Sequence, residues 1–296
     1  MKMLSIRGSS RADLLAIPPV VFGYHPRDSL VVLALHGGVL QMSARLSLDW
    51  HLTHYEATVA QMSAAIENVP GCRFVLAGYG ERERAMASVL ELADVVGHCL
   101  VIDAVVTDGE LSWGLGDDVA EPYRFEDTAV AAQAVFAGVT IARSREEAVA
   151  PVTEHRPASR RRVEKVEQEV AQLPRGKALR RFARLIEREE PLSPSQALRL
   201  AVHLGDDDAM VSALAALGAR NADRVWHNVV AARRVCPPRY EANVLAILAA
   251  ASWLSGRGAA QTACLEQLGE IDPVHVVGGY MAQVHREGRP PGSWEG

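Results

Sequence analysis

Residues 29–48 read SLVVLALHGGVLQMSARLSL. Six apolar residues, Leu30 to Leu35, run without interruption, the mark of a buried strand rather than a half-exposed one. Gly37-Gly38 follows one residue later, and a second strand-like stretch ends at Leu48. Paired glycines between two such runs signal a hairpin, because glycine accepts the positive φ angles that tight hairpin turns demand.

The elements on either side of this hairpin extend it into a sheet. Upstream, Ser10 with Asp13 forms a capping-box pattern opening a short helix, expected to end at Pro18-Pro19. Downstream, a helix is expected from about Tyr55 to Asn68, then a buried strand in CRFVLAGYG, residues 72–80. Glu81 to Val96 reads as an amphipathic helix with Met86, Val89, Leu90 and Ala93 on its apolar side. LVIDAVVTDGELSWGL, residues 100–115, predicts a second hairpin turning at Asp108-Gly109. A helix near Thr128–Ala137 follows, and Ser144 with Glu147 caps another short one. The order predicts an α/β domain over residues 1–152, a mixed sheet with hairpins and helices covering it.

The second half, residues 153–296, shows no strand signal and predicts an all-helical domain of helical hairpins. Pro151 to Ser159 reads as a polar linker in front of it. Ser193-Pro194-Ser195-Gln196 is a helix start, with proline in the first turn and glutamine at the capping-box position. Asn221, Pro237-Pro238 and Asp272-Pro273 each precede a further helical stretch. Residues 246–273 are similar to part of a tetratricopeptide repeat, although several copies in register are absent.

Composition bounds the function. With 49% hydrophobic residues in 296, the chain can build its core without metals or disulfides. A net charge of −5 exerts no global pull on nucleic acid or membrane. The four cysteines, Cys72, Cys99, Cys236 and Cys264, form no CxxC pair, which argues against structural zinc and for reduced thiols in a cytoplasmic protein. The longest apolar run, Ala242–Leu254, is too short to span a bilayer, and no membrane association is expected.

Four stretches hold candidate functional residues. YHPRDS, residues 24–29, offers Tyr24, His25, Arg27, Asp28 and Ser29 as a candidate binding loop. A hydrolase reading makes Ser29 the nucleophile, His25 the base and Asp28 its orienter. No GxSxG elbow surrounds Ser29, so a capped turn delivering a strand is favoured, and no catalytic residue is assigned. DWHLTHYE, residues 49–56, carries Asp49, His51, His54 and Glu56, but a Thr53–Glu56 capping box accounts for two of its polar residues, and no metal site is expected. AGYGERER, residues 77–84, places Gly78 and Gly80 between strand and helix, where phosphate binds in dinucleotide folds. Glu83 replaces the third glycine, and Glu81 with Glu83 would repel an anion, so no cofactor is expected. Asp117-Asp118 and Asp206-Asp207-Asp208 read as loops or caps.

The fourth stretch is His155–Arg188, where eleven basic residues face four glutamates. Val163, Val166, Val170 and Leu173 recur at helical spacing, as do Leu179, Phe182, Leu185 and Ile186, predicting two amphipathic helices. Arg160, Arg161, Arg162, Arg180, Arg181 and Arg184 make a candidate basic patch on their outer faces. A solvated face is favoured over a phosphate contact, because no aromatic residues are interleaved.

LLAIPPVVFGYHPRDSLVVLAL, residues 14–35, resembles the opening of an actinobacterial family catalogued as domain of unknown function 4192. The matching positions are Leu14, Leu15, a proline at 18 or 19, Gly23, Tyr24, Pro26, Asp28, Ser29, Leu30, Val31 and Val32. VLAGYG, DAVVTDGELSWGL, AAQAVFAGVTIARSREE, DRVWHNVV and the closing DPVHVVGGYMAQVHREGRPPGSW extend the resemblance over nearly the whole chain. The pattern leaves His25 and Arg27 open, and the resemblance implies no established activity. The expectation is a non-catalytic cytosolic interaction or regulatory module with a protein partner. The alternatives are a hydrolase-like enzyme using the YHPRDS loop, or nucleic-acid association through the basic helices.

Overall fold

Hydrogen bonding of the two hairpins through one shared strand builds the sheet. The structure, a computed structural model, describes residues 7–294. Strands β1 (Ser29–His36) and β2 (Val39–Ser47) pair antiparallel around Gly37-Gly38, which both take positive φ. β3 (Arg73–Tyr79) pairs antiparallel with the other side of β1, and β4 (Val101–Thr107) pairs parallel with β3. β5 (Leu111–Gly114) and the two-residue β6 (Glu121–Pro122) complete a six-stranded mixed sheet, order β2-β1-β3-β4-β5-β6.

β1 from Leu30 to Leu35 and β3 from Phe74 to Gly78 carry no polar side chain, because helices cover both faces. Leu30, Val32, Ala34, Phe74 and Leu76 point to one side, where they meet α3 (Tyr55–Glu67) and α4 (Arg82–Val96). Val31, Leu33, Val75 and Ala77 point to the other, against Leu15 of α1 (Arg11–Phe22). Ala16 and Val20 on the outer side of α1 pack on α5 (Ala129–Phe136). Gly78 of β3 lets α4 lie close, since a Cβ there would sit 3.2 Å from both Ala85 and Val106. The buried stripe of α4 is Ala85, Val89, Leu92, Ala93 and Val96, rotated from the one the sequence predicts, and Leu90 faces solvent.

α1 does not end at Pro18-Pro19. It runs through both prolines to Gly23, whose φ of 75° closes the helix. Pro19 lacks the N–H that would reach the Leu15 carbonyl four residues back. The Tyr79 hydroxyl of β3 donates to that carbonyl at 2.6 Å instead. The carbonyl freed by a proline therefore becomes the attachment point between helix and sheet, and burial pushes the Tyr79 hydroxyl well above its usual pKa. At the other end of α1 the capping box forms, and Asp13 does more than close it. Its carboxylate accepts from the backbone N–H of Ser9 at 2.9 Å, of Ser10 at 3.3 Å and of Val130 in α5 at 3.4 Å. One buried carboxylate thus ties the first turns of two helices.

The described chain divides into two compact units, one comprising residues 7–147 with 286–290, the other residues 148–285 with 291–294. In the first, residues 286–290 lie along α3, where Asn68 donates to the Glu287 carbonyl at 2.6 Å. The second is helical. α6 (Arg145–Thr153) carries Pro151 inside it, so the expected linker shrinks to residues 154–159. Even these are bonded: Arg156 N–H to the Arg234 carbonyl at 2.8 Å, Ala158 N–H to that of Val235 at 3.1 Å, and His155 Nε2 to that of Cys236 at 2.7 Å. A polar composition does not reveal these tethers, because their acceptors are the backbone carbonyls of Arg234, Val235 and Cys236, far along the chain. α7 (Arg160–Ala171), α8 (Arg175–Ile186), α9 (Pro194–His203), α10 (Asp207–Ala216), α11 (Ala222–Val235), α12 (Glu241–Leu254), α13 (Gly258–Ile271) and α14 (Val276–Arg286) follow. The Ser193–Gln196 capping box opens α9, and Asp206 caps α10 through the Ala209 N–H. Every residue of α12 from Val244 to Leu254 is buried, and α11 and α13 both pack against it. The stretch similar to a tetratricopeptide repeat is the α12–α13 antiparallel hairpin.

Two predictions follow from α1. Tyr79→Phe leaves the Leu15 carbonyl buried and unpaired, a loss of about 1–3 kcal/mol in urea denaturation. Pro19→Ala restores the missing donor, so the double variant is more stable than the sum of the two changes predicts. Asp13→Asn costs about 1–2 kcal/mol at pH 7. Burial alone would raise the Asp13 pKa, but the bonds from Ser9, Ser10 and Val130 outweigh it and leave it lowered. Its stabilisation is therefore complete above the ordinary carboxylate value of about 4 and is lost as pH falls through the lowered folded value. The stability gap between wild type and variant narrows only in that acid window.

Candidate functional site

The YHPRDS loop lies where the parallel strands β3 and β4 end and α4 begins, the end of an α/β sheet at which ligands bind. Backbone bonds fix it there. The Tyr24 segment bridges Ala142, with Gly23 O accepting from Ala142 N–H at 2.7 Å and Ala142 O from His25 N–H at 3.2 Å. Asp28 O accepts from Leu48 N–H at 3.2 Å, where β2 ends. Asp28 has a φ of 42°, the only non-glycine residue at positive φ among the described residues. Aspartate tolerates this conformation better than most residues.

The loop's polar side chains turn away from one another. Ser29 is fully buried; its Oγ donates to the Arg27 carbonyl at 2.6 Å and accepts from Arg45 Nε of β2 at 2.7 Å. Its partners are thus a carbonyl and a guanidinium, and it caps no backbone N–H. The His25 ring sits edge-on to Phe125, with centroids 4.9 Å apart. Burial lowers the His25 pKa, partly opposed by Glu126, so the ring is neutral at pH 7. No hydrogen bond joins His25 to Ser29 or Asp28, and the nucleophile–base–orienter arrangement is not assembled. Tyr24 is buried against Phe22, and Arg27 is exposed.

Two residues outside the loop organise it. Arg84, in the first turn of α4, donates through Nη1 to Asp28 Oδ1 at 3.0 Å and through Nε to Asp49 Oδ1 at 2.8 Å, with Nη2 on the second Asp49 oxygen. The Arg84 bonds hold the Asp49 carboxyl below its usual range. Neither Arg84 nor Arg45 carries a local signal, since each acts on residues distant in sequence. Gly80, φ 148°, allows the close approach: a Cβ there would fall 2.8 Å from Leu48 and 3.3 Å from the Asp28 carboxylate.

The other candidates resolve locally. Glu81 accepts from the N–H groups of Glu83 and Arg84, both at 2.9 Å, so the α4 N-terminus is occupied by its own carboxylate. Those bonds lower the Glu81 pKa. Thr53 and Glu56 form no capping box. Trp50–Thr53 is a short helix, α2, and the Thr53 hydroxyl donates back to the Asp49 carbonyl at 3.0 Å. His51 therefore lies within a helix, and Trp50 is buried and stacks on Tyr55. Among the described residues no three histidines, cysteines, aspartates or glutamates gather to hold a metal. The cysteines are unpaired, and burial pushes the Cys236 and Cys264 thiols up to about 12. Asp117 pairs with Arg11, and Asp208 with Arg175.

The basic patch lies on α7 and α8. Val163, Val166, Phe182, Leu185 and Ile186 are buried, while Arg160, Arg161, Arg162, Arg180 and Arg184 are exposed and Arg181 is half-buried. Arg160 pairs with Glu164 at 2.7 Å. No described helix is long and apolar enough to cross a membrane.

The family model for the domain of unknown function DUF4192 matches residues 12–292, and the chain belongs to that family. No curated protein and no solved structure matches it.

Ser29→Ala removes the acceptor of the exposed Arg45's Nε–H and the donor to the Arg27 carbonyl. A stability loss of about 1–2 kcal/mol is expected by denaturant titration. A loss below about 0.3 kcal/mol would mean that neither bond matters.

Proposed function

We propose that the protein is a non-catalytic interaction or regulatory module of the cytosol, and that its helical unit meets a protein partner. One observation carries the reading: the residues best suited to chemistry are engaged inside the fold. The Ser29 hydroxyl is fully buried with two partners, and the His25 ring packs on Phe125. A serine nucleophile needs an accessible Oγ and a base within hydrogen-bond reach. The Asp28 carboxylate, which would orient that base, binds Arg84 instead. Loops that only deliver a strand require this internal bonding, whereas binding sites leave polar groups free to converge on a ligand.

A fluorophosphonate probe tests the first half. Intact-mass measurement is expected to show no adduct on the wild-type protein. An adduct abolished by Ser29→Ala would establish the hydrolase reading instead. A photo-crosslinking residue tests the second half in the native host. Placed at Arg184 of α8 it is expected to give a covalent product with another protein, and at Arg27 of the loop none. Products from position 27 alone would move the partner surface to the loop.

A further inference from the structure

α8 carries five cations and no acid in RGKALRRFARLI, residues 175–186. Its apolar side, Phe182, Leu185 and Ile186, is buried in the helical core, so only charge is left for a partner to meet. The acids that could neutralise the face are engaged elsewhere. Glu167 binds Arg239 and accepts from the Tyr240 hydroxyl at 2.7 Å. Glu169 binds Arg199 through two contacts, 2.8 and 3.2 Å. Glu187 binds Arg224 at 2.9 Å. Arg175 and Arg160 have acids of their own, Asp208 and Glu164. Arg161, Arg162 and Lys165 on α7 and Lys177, Arg180, Arg181 and Arg184 on α8 have no ion pair among the described residues. Both helices pack against α9, which carries Arg199. The Glu169 carboxyl is held low first by its bonds to Arg199, against burial, and then by both Lys165 and Arg181.

We infer that the outer face of α7 and α8 is a docking surface for an acidic helical segment of a partner protein. This rests on the interaction-module reading and names its surface and partner chemistry. The argument is charge complementarity combined with spacing. Lys177, Arg181 and Arg184, and Arg180 with Arg184, recur once per turn, about 5.4 Å apart along the axis. A partner helix with carboxylates at i, i+3 and i+4 presents anions at the same interval. Five of the seven cations are arginines, whose planar forks match carboxylates two bonds at a time. The face lacks what other polyanions need. Phe182 is buried, and Tyr240 is half-buried with its hydroxyl bonded to Glu167, so bases have no ring to stack on. The buried apolar side of α8 cannot insert into a bilayer.

The test uses the full chain and a labelled synthetic 21-residue helix with glutamates at i, i+3 and i+4, read by fluorescence anisotropy. A control peptide has the same composition with two central alanines replaced by their D-enantiomers, which breaks the helix. The helical peptide is expected to bind and to weaken at least tenfold between about 50 and 200 mM salt. The control should bind at least fivefold less tightly. Arg180→Gln with Arg184→Gln, and Arg161→Gln with Arg162→Gln, should each weaken binding at least fivefold without moving the melting temperature. No binding at low salt, or equal binding of both peptides, would overturn the inference. So would tighter binding of a 20-base-pair DNA duplex, or of vesicles containing phosphatidylglycerol. Failure here with Ser29 still unlabelled by the fluorophosphonate would remove this surface and leave the module reading standing.

Discussion

Burial of β1 and β3 on both faces is the constraint from which the first unit follows. A strand whose neighbouring side chains all leave water needs a helical layer on each side and a hydrogen-bonded strand along each edge. β2 and β4 supply the edges, α3 and α4 one layer, and α1 with α5 the other. The layers are joined at two polar points rather than by apolar contact alone. The Tyr79 hydroxyl reaches through the core to the carbonyl that Pro19 leaves without a donor, and the Asp13 carboxylate links the starts of α1 and α5. A buried polar group without a partner costs far more than its hydrogen bond contributes, so both points set geometry as well as stability.

The same economy of polar groups explains the loop at the end of the sheet. Residues 24–29 look rich in chemistry because they must close a strand entry that lies between two others. Asp28 takes a backbone conformation that few residues accept, its carbonyl holds Leu48 and its carboxylate holds Arg84. Ser29, with no exposed surface, binds within the fold. In this chain the motif is where β1 starts.

In the helical unit the polar groups divide differently. Asn228 donates to the carbonyls of Ile186 and Arg188, and the Trp226 Nε1 donates to Ser252 Oγ, both within the packed layers. Arg233, nearly fully buried, binds Glu241 at 2.8 Å and Gln267 at 2.9 Å. Charge unmatched inside the unit collects instead on α7 and α8, where solvent screens it.

Local pattern determined the element types. Apolar runs bounded by glycine gave the buried strands, paired turn residues the hairpins, and Ser10–Asp13 and Ser193–Gln196 the helix starts, because each is decided by residues within a few positions. The α/β first half and the helical second half were legible on those grounds. Three features depended on residues far apart in the chain. In α1, which crosses two prolines, Tyr79, sixty-four residues beyond Leu15, supplies the donor that Pro19 lacks. Residues 154–159 are held because backbone groups near Arg234 meet them. The would-be triad separates because Phe125, Arg45 and Arg84 claim its members. A side chain's local neighbours set which bonds it can make, and only the tertiary structure decides which partner arrives.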